Sequence, residues 1–64
     1  MRNNLIQARK QKGYTQVNTA DLIGVTEQQY QRLEAGTSDG SIKVWERLKD
    51  LFGLTIDNLL EQVE

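Results

Sequence analysis

The stretch from Thr15 to Gly36, TQVNTADLIGVTEQQYQRLEAG, constrains the fold of this chain more than any other feature. Two runs of helix-forming residues flank Gly24, and glycine ends helices readily because it adopts the left-handed conformation that residues with a Cβ resist. Thr15 and Thr26 each precede one run, where a hydroxyl can accept a backbone N–H that the first helical turn leaves unpaired. The stretch therefore predicts two short helices joined by a glycine turn.

The rest of the chain is rich in helix formers and contains no proline, so we predict an all-α fold. A single compact domain over residues 1–64 should contain five helices. We place them at Asn3 to Lys12, Gln16 to Ile23, Glu27 to about Glu34, about Ile42 to Phe52, and a last helix capped by Thr55. The apolar residues of the last two helices recur at spacings of three or four, which predicts that they face the core. They are Ile42, Trp45, Leu48 and Phe52, then Ile56, Leu59, Leu60 and Val63.

The composition excludes most catalytic chemistry. The chain has no cysteine and no histidine, so it lacks disulfides, thiolate nucleophiles and the commonest metal ligand and general base. It also lacks a glycine-rich phosphate loop and a convincing pair of catalytic carboxylates. We expect no enzyme activity, no metal and no cofactor. No apolar run approaches a membrane span, and the N-terminus is too polar for a secretory signal, so we expect a cytoplasmic protein without membrane association.

Charge is distributed unevenly along the chain, which carries a net charge of −1. Residues 1–16 contain Arg2, Arg9, Lys10 and Lys12 without an acid, whereas acids outnumber cations in the remainder. Domains that bind nucleic acid are usually basic, because lysine and arginine release counterions from the phosphates. We therefore expect a basic first helix that steers the domain toward DNA and a modest nonspecific affinity.

Two helices around a glycine turn form a helix-turn-helix, here over about residues 15–36, whose second helix enters the DNA major groove led by its N-terminal residues. Those residues are Glu27, Gln28 and Gln29. Glutamine can bond adenine at N6 and N7, and glutamate can accept from the N4 amino group of cytosine. Adjacent helical residues diverge by about 100°, so only one of the two glutamines should face DNA.

Arg32 shares a helical face with Gln28, four residues earlier, and could bond guanine or a phosphate. The residues at the start of this helix and on its exposed face predict a DNA-binding set of Thr26, Glu27, Gln28, Gln31 and Arg32. A solvated polar face is the alternative for the glutamines, and a surface ion pair is an equally good interpretation of Arg32. Tyr14, Tyr30 and Trp45 could stack on single-stranded nucleic acid, but their helical spacing favours core packing, with the Tyr30 hydroxyl reaching the surface.

An ordered series of residues resembles the phage Cro and repressor-type helix-turn-helix family over about Leu5 to Leu60. The matching residues are Leu5, Arg9, Gly13, Thr15, Gln16, Ala20, Gly24, Val25, Thr26, Glu34 and Gly36, followed by the ending FGLTIDNLL. The chain departs from the family at Thr19, where a core leucine is usual, and at Lys49, where alanine is common. The loop after Gly36 is not basic, and Gly40 replaces a frequent proline.

The resemblance implies a role for several residues. Gln16 would contact phosphate and brace the first residue of the second motif helix, while Glu27, Gln28 and Arg32 would read bases. Arg9 and Glu34 would form an interior salt bridge, and Lys43 with the preceding loop would clamp the DNA backbone.

We therefore expect a sequence-specific transcriptional regulator of double-stranded DNA, in particular a repressor that binds a palindromic operator as a homodimer. Exposed aliphatic residues among Val17, Leu22, Val44, Leu51 and Val63 could form the dimer surface or could simply be scattered over the surface. The acidic balance leaves an alternative from a different class, a protein-binding module such as an antitoxin, an antirepressor or a small inhibitor from a mobile element.

Overall fold

The computed structural model describes residues 1–62, which form five α-helices and no strand. The helices are α1 (Asn3–Gln11), α2 (Gln16–Ile23), α3 (Glu27–Ala35), α4 (Ile42–Phe52) and α5 (Ile56–Leu60). The predicted all-α fold is confirmed, and the bounds of the first four helices agree with the prediction to within one residue. The fifth helix is shorter than expected and ends at Leu60; Val63, which was assigned to it, lies outside the described residues.

Hydroxyl caps explain why four of the helices begin where they do. Thr15 Oγ1 accepts from the backbone N–H of Asn18, and Thr26 Oγ1 accepts from that of Gln29. Ser41 and Thr55 cap α4 and α5 in the same way. Each such cap contributes about 1 kcal/mol to the free energy of unfolding. At the other end of α2, Gly24 has φ +75°, which completes the predicted glycine turn.

The core draws on all five helices. Its fully or nearly fully buried side chains are Leu5, Ala8, Ala20, Ile23, Tyr30, Leu33, Trp45, Leu48, Phe52 and Leu59. Trp45 and Tyr30 are therefore core residues, as the spacing favoured, and Tyr14 packs against Phe52 with ring centroids 6.5 Å apart. The expectation that the Tyr30 hydroxyl reaches the surface is wrong, because the whole residue is buried at the centre of the core.

The prediction for Ile42 is wrong, and the structure shows how the core accommodates Thr19. Ile42, predicted to face the core, is 75% exposed, because it is the first residue of α4 and the helix meets the core only from Val44 and Trp45 onward. Thr19 is fully buried where a leucine was expected, and its hydroxyl donates to the carbonyl of Thr15 at 3.0 Å. The buried hydroxyl is thus satisfied within its own helix. Lys49 is exposed to solvent.

Candidate nucleic-acid interface

A buried carboxylate holds α3 in place against α1 and α2. The Glu34 side chain is 4% exposed and lies 2.6 Å from Arg9 Nε through its Oε2 atom. Gln16 Nε2 donates to the other oxygen at 3.0 Å, and Arg9 Nη1 donates to the carbonyl of Tyr14 at 2.9 Å. The hydrogen bond with Glu34 and the carboxylate charge raise the pKa of Arg9 above its ordinary value. Side chains from three helices therefore fix the orientation of α3.

This arrangement gives Gln16 an internal partner that the resemblance did not imply. The resemblance implied that Gln16 braces the first residue of α3, whereas the structure bonds it to Glu34 in the last turn. The reason is electrostatic, since a buried carboxylate is a stronger acceptor than a neutral group and needs donors for both oxygens. The amide oxygen of Gln16, which can only accept, is not used by that bond.

The phenolic oxygen of Tyr30 lies in the same region and has no hydrogen-bond partner in the described structure. Burial raises the pKa of this hydroxyl well above its usual range, and the nearby carboxylate of Glu34 adds to the shift. Tyr30 is therefore a neutral core residue and does not belong to the exposed site.

The opposite face of α3 is solvent-exposed and polar. It presents Glu27, Gln28, Gln31 and Arg32, all from the predicted DNA-binding set. Gln29 is exposed as well, but its Oε1 accepts the backbone N–H of Thr26 at 3.0 Å. Because the capping box engages the Gln29 amide, Gln28 is the exposed glutamine of this pair that the box does not use. Thr26, also in the predicted set, uses its oxygen for the same capping box.

The α3–α4 loop (residues 37–41) and the first turn of α4 lie beside the end of α3. Lys43 is exposed in that turn. A shallow groove of about 240 Å³ is bordered by the loop, α3 and the start of α4, with Val25, Leu33 and Val44 as its apolar lining and Gln29, Ser38 and Ser41 as its polar lining. The groove thus places Ser41 and Val44, which flank Lys43 in sequence, opposite Gln29 of α3.

Three of the chain's arginines are engaged in internal contacts, which the sequence did not reveal for Arg2 and Arg47. Arg2 is 2% exposed and donates to the carbonyls of Leu33 and Ser38, both at 2.7 Å. Arg47 Nη1 donates to the carbonyl of Ile23 at 2.8 Å, at the end of α2. The four cations of residues 1–16 are thus not equally exposed, and steering of the domain toward DNA by this segment stays a prediction. Burial of Arg2 and pairing of Arg9 leave Lys10 and Lys12 as its exposed cations.

Within residues 1–62, no group of three or more acidic side chains is placed to hold a metal ion. In the same part of the chain, no helix has the length and hydropathy needed to cross a membrane.

Comparisons with known proteins agree with this geometry. A family model described as Helix-turn-helix, of the Cro/C1 type, matches residues 5–59, which include all of α2, the glycine turn and α3. The chain belongs to this family. It is 35% identical over 57 residues to the SPbeta prophage-derived uncharacterized HTH-type transcriptional regulator YonR of Bacillus subtilis (strain 168), covering 89% of the chain and 53% of the relative.

Two further relatives come from the same organism. The chain is 36% identical over 58 residues to the HTH-type transcriptional regulator AnsR and 34% identical over 58 residues to the uncharacterized HTH-type transcriptional regulator YqaE. Each alignment covers 91% of the chain and 50% of the relative. The chain therefore spans about half the length of the curated relatives it matches. No solved structure matches it.

Proposed function

We propose that this domain binds double-stranded DNA and regulates transcription. In this proposal α3 enters the major groove, Gln28 and Arg32 contact base edges, and Glu27 and Gln31 contribute to the choice of sequence. Lys43 contacts a phosphate on the flanking backbone. A regulator of this kind acts where the DNA is, which fits the expected cytoplasmic location.

The observation that carries the proposal is the division of α3 into two faces. One face is tied to the core by Glu34, Tyr30 and Leu33, while the opposite face presents amide, guanidinium and carboxylate groups to solvent. Groups that read bases must be held rigidly, because their hydrogen bonds discriminate only at defined positions. The names of the relatives, all HTH-type transcriptional regulators, support the same function.

We further propose that the domain acts as a repressor and binds a palindromic operator as a homodimer. One small domain reads few base pairs, and two-fold symmetric pairing doubles the site. Of the five aliphatic residues considered for a dimer surface, Val17 and Leu22 on α2 are 45% and 57% exposed. Val44 and Leu51 pack against the core, which makes them poorer choices, and Val63 lies outside the described residues.

Selection of bound duplexes from a random DNA pool, at low and at physiological salt, tests the proposal. Enrichment of a palindrome with half-sites about one helical turn apart would support a dimeric operator-binding protein. Enrichment of a single half-site would support DNA binding by a monomer and contradict the dimer. No enrichment at either salt would contradict DNA binding and favour the protein-binding alternative, which capture of a defined protein partner would then establish.

A further inference from the structure

Arg2 is an unusually placed cation, since it is buried although it precedes the first helix. Its Nη1 atom donates to the carbonyl of Leu33, near the end of α3, and to that of Ser38, in the α3–α4 loop, both at 2.7 Å. Its backbone N–H donates to the carbonyl of Glu34 at 2.8 Å. One residue thus contacts both the end of α3 and the loop that follows it.

The guanidinium also contacts Asp39 within the loop and Trp45 in α4. Its central carbon lies 5.1 Å from the centre of the Trp45 ring, close enough for a cation–π interaction. Arg2 Nη2 lies 3.8 Å from the carboxylate of Asp39. The indole N–H of Trp45 donates to the carbonyl of Asp39 at 2.6 Å. Arg2 and Trp45 together therefore hold the middle of the loop against the core.

We propose that Arg2 is a positioning residue for DNA binding, which orders the α3–α4 loop and the start of α4 before DNA arrives. This inference rests on the proposed function, because it assigns a task to a segment that carries Lys43. Arg2 itself is too buried to contact DNA. A loop that is already ordered in the free protein does not lose conformational entropy on binding, so the affinity gained from its contacts is retained.

The surroundings of Gly40 show how closely the loop is packed against these residues. Gly40 has φ +68°, and a Cβ at this position would lie 2.8 Å from Leu33 Cδ2 and 3.0 Å from Trp45 Nε1. A side chain here would have to displace either the loop or the buried side chains of Leu33 and Trp45. Gly53, at the end of α4, has the same φ of +68° but would place a Cβ with nothing within 4 Å. The two glycines therefore form a matched pair in which only Gly40 supports the loop.

The test measures loop order and DNA affinity in the same variants of the full chain. Hydrogen exchange of the Trp45 indole N–H, followed by NMR, reports the loop, because this group bonds to Asp39 and the chain has one tryptophan. Dissociation constants are measured for the duplex enriched by wild type and for a scrambled duplex of equal length. All measurements are made at a temperature where circular dichroism shows each variant to be folded.

We expect Arg2→Met to speed indole exchange and to weaken binding of both duplexes by the same factor, roughly three- to tenfold. Arg2→Lys should restore neither property, because an ammonium lacks the planar fork that reaches two carbonyls and an acid together. If Arg2 acted only through its charge, the lysine variant would bind like wild type, and the proposal would be wrong.

Gly40→Ala provides a second route to the same result if Arg2→Met does not fold. It should loosen the loop and weaken both duplexes, whereas Gly53→Ala should lose stability without either effect. Equal losses of affinity in the two glycine variants would overturn the proposal, as would faster indole exchange with unchanged affinity. Failure of wild type to bind any duplex would instead refute the proposed function, and with it this role of Arg2.

Discussion

At the scale of single residues, the carboxylate of Glu34 accepts hydrogen bonds from side chains on both α1 and α2. Arg9 Nε lies 2.6 Å from one of its oxygens, and Gln16 donates to the other. Burying such a pair costs desolvation energy that only a complete set of partners offsets. Here the partners of Glu34 come from α1 and α2, so these bonds determine how α3 packs against the rest of the domain.

Replacing Glu34 by alanine should therefore destabilise the protein strongly. Arg9 would remain largely buried without its anion, and the free energy of unfolding should fall by roughly 3–5 kcal/mol. Urea unfolding followed by circular dichroism measures this change. Glu61→Ala, at an exposed acid, is the matched control and should change stability by less than about 0.5 kcal/mol. Equal stabilities of the two variants would mean that Arg9 does not depend on the pair.

At Tyr30 the removal of a buried polar group should not destabilise the protein. Within residues 1–62 its buried hydroxyl has no hydrogen-bond partner, so Tyr30→Phe should leave the free energy of unfolding at pH 7 unchanged or raise it by about 1 kcal/mol. Thermal melting measures this, with Tyr14→Phe as a control at a half-buried tyrosine. A clear loss of stability in Tyr30→Phe would mean that the hydroxyl makes a bond that contributes to folding.

The pH dependence of Tyr30 follows from its raised pKa. In the unfolded chain the hydroxyl ionises near its ordinary pKa of 10.0, whereas in the folded protein burial keeps it neutral to higher pH. Its contribution to stability is therefore complete well below pH 10.0 and decreases as the pH rises through that value. Wild type should lose stability between pH 9 and pH 11 by more than Tyr30→Phe, and identical pH profiles would contradict the burial effect.

At the scale of elements, the beginning of α3 decides which glutamine is available for DNA. The Gln29 amide caps the helix through the Thr26 N–H, and Gln28 is not part of that box. The two residues are adjacent and chemically identical, which makes them a natural pair of variants.

Gln28→Ala should keep the stability of wild type and lose preference at one base pair, by roughly 1–3 kcal/mol. Gln29→Ala should lower the melting temperature because it removes half of the capping box, and it should retain the base preference. A comparison of selected sequences and thermal melts for both variants checks this. If Gln28→Ala selects the same duplexes as wild type, Gln28 does not read a base.

At the scale of the whole molecule, the charges that remain on the surface control DNA affinity. Arg2 and Arg9 are held by internal contacts, while Lys10, Lys12, Arg32, Lys43, Arg47 and Lys49 are exposed, Arg47 with one hydrogen bond to the end of α2. The net charge of −1 gives little long-range attraction to DNA, so binding must depend on a few well-placed phosphate contacts.

Lys43 and Lys49 test this point because they lie on the same helix about 9 Å apart along its axis. Lys43→Ala should weaken binding to all sequences alike and reduce the slope of log affinity against log salt by about 1. Lys49→Ala, beyond the middle of α4, should leave the slope unchanged. Binding titrations over a range of salt concentrations distinguish the two, and equal slopes for both variants would show that the start of α4 does not face DNA.

The helices and the turns between them follow from local sequence. Hydroxyl caps, glycine stops and apolar spacing act within a few residues, so the bounds of α1 to α4 follow from local chemistry. The ordered motif likewise predicted the family. The polar residues on the outer face of α3 could be named from sequence because helical periodicity alone separates them from the core.

Only the tertiary structure decided which side chains of similar chemistry turn inward. Arg2 and Lys10 both looked like surface cations, yet Arg2 meets two carbonyls and an indole from residues more than 30 positions away. Gln16 is drawn to Glu34 by a carboxylate that is distant in sequence, and Ile42 is left outside because α4 meets the core one turn later. Such partners come together only when the helices pack, so local sequence patterns do not predict them.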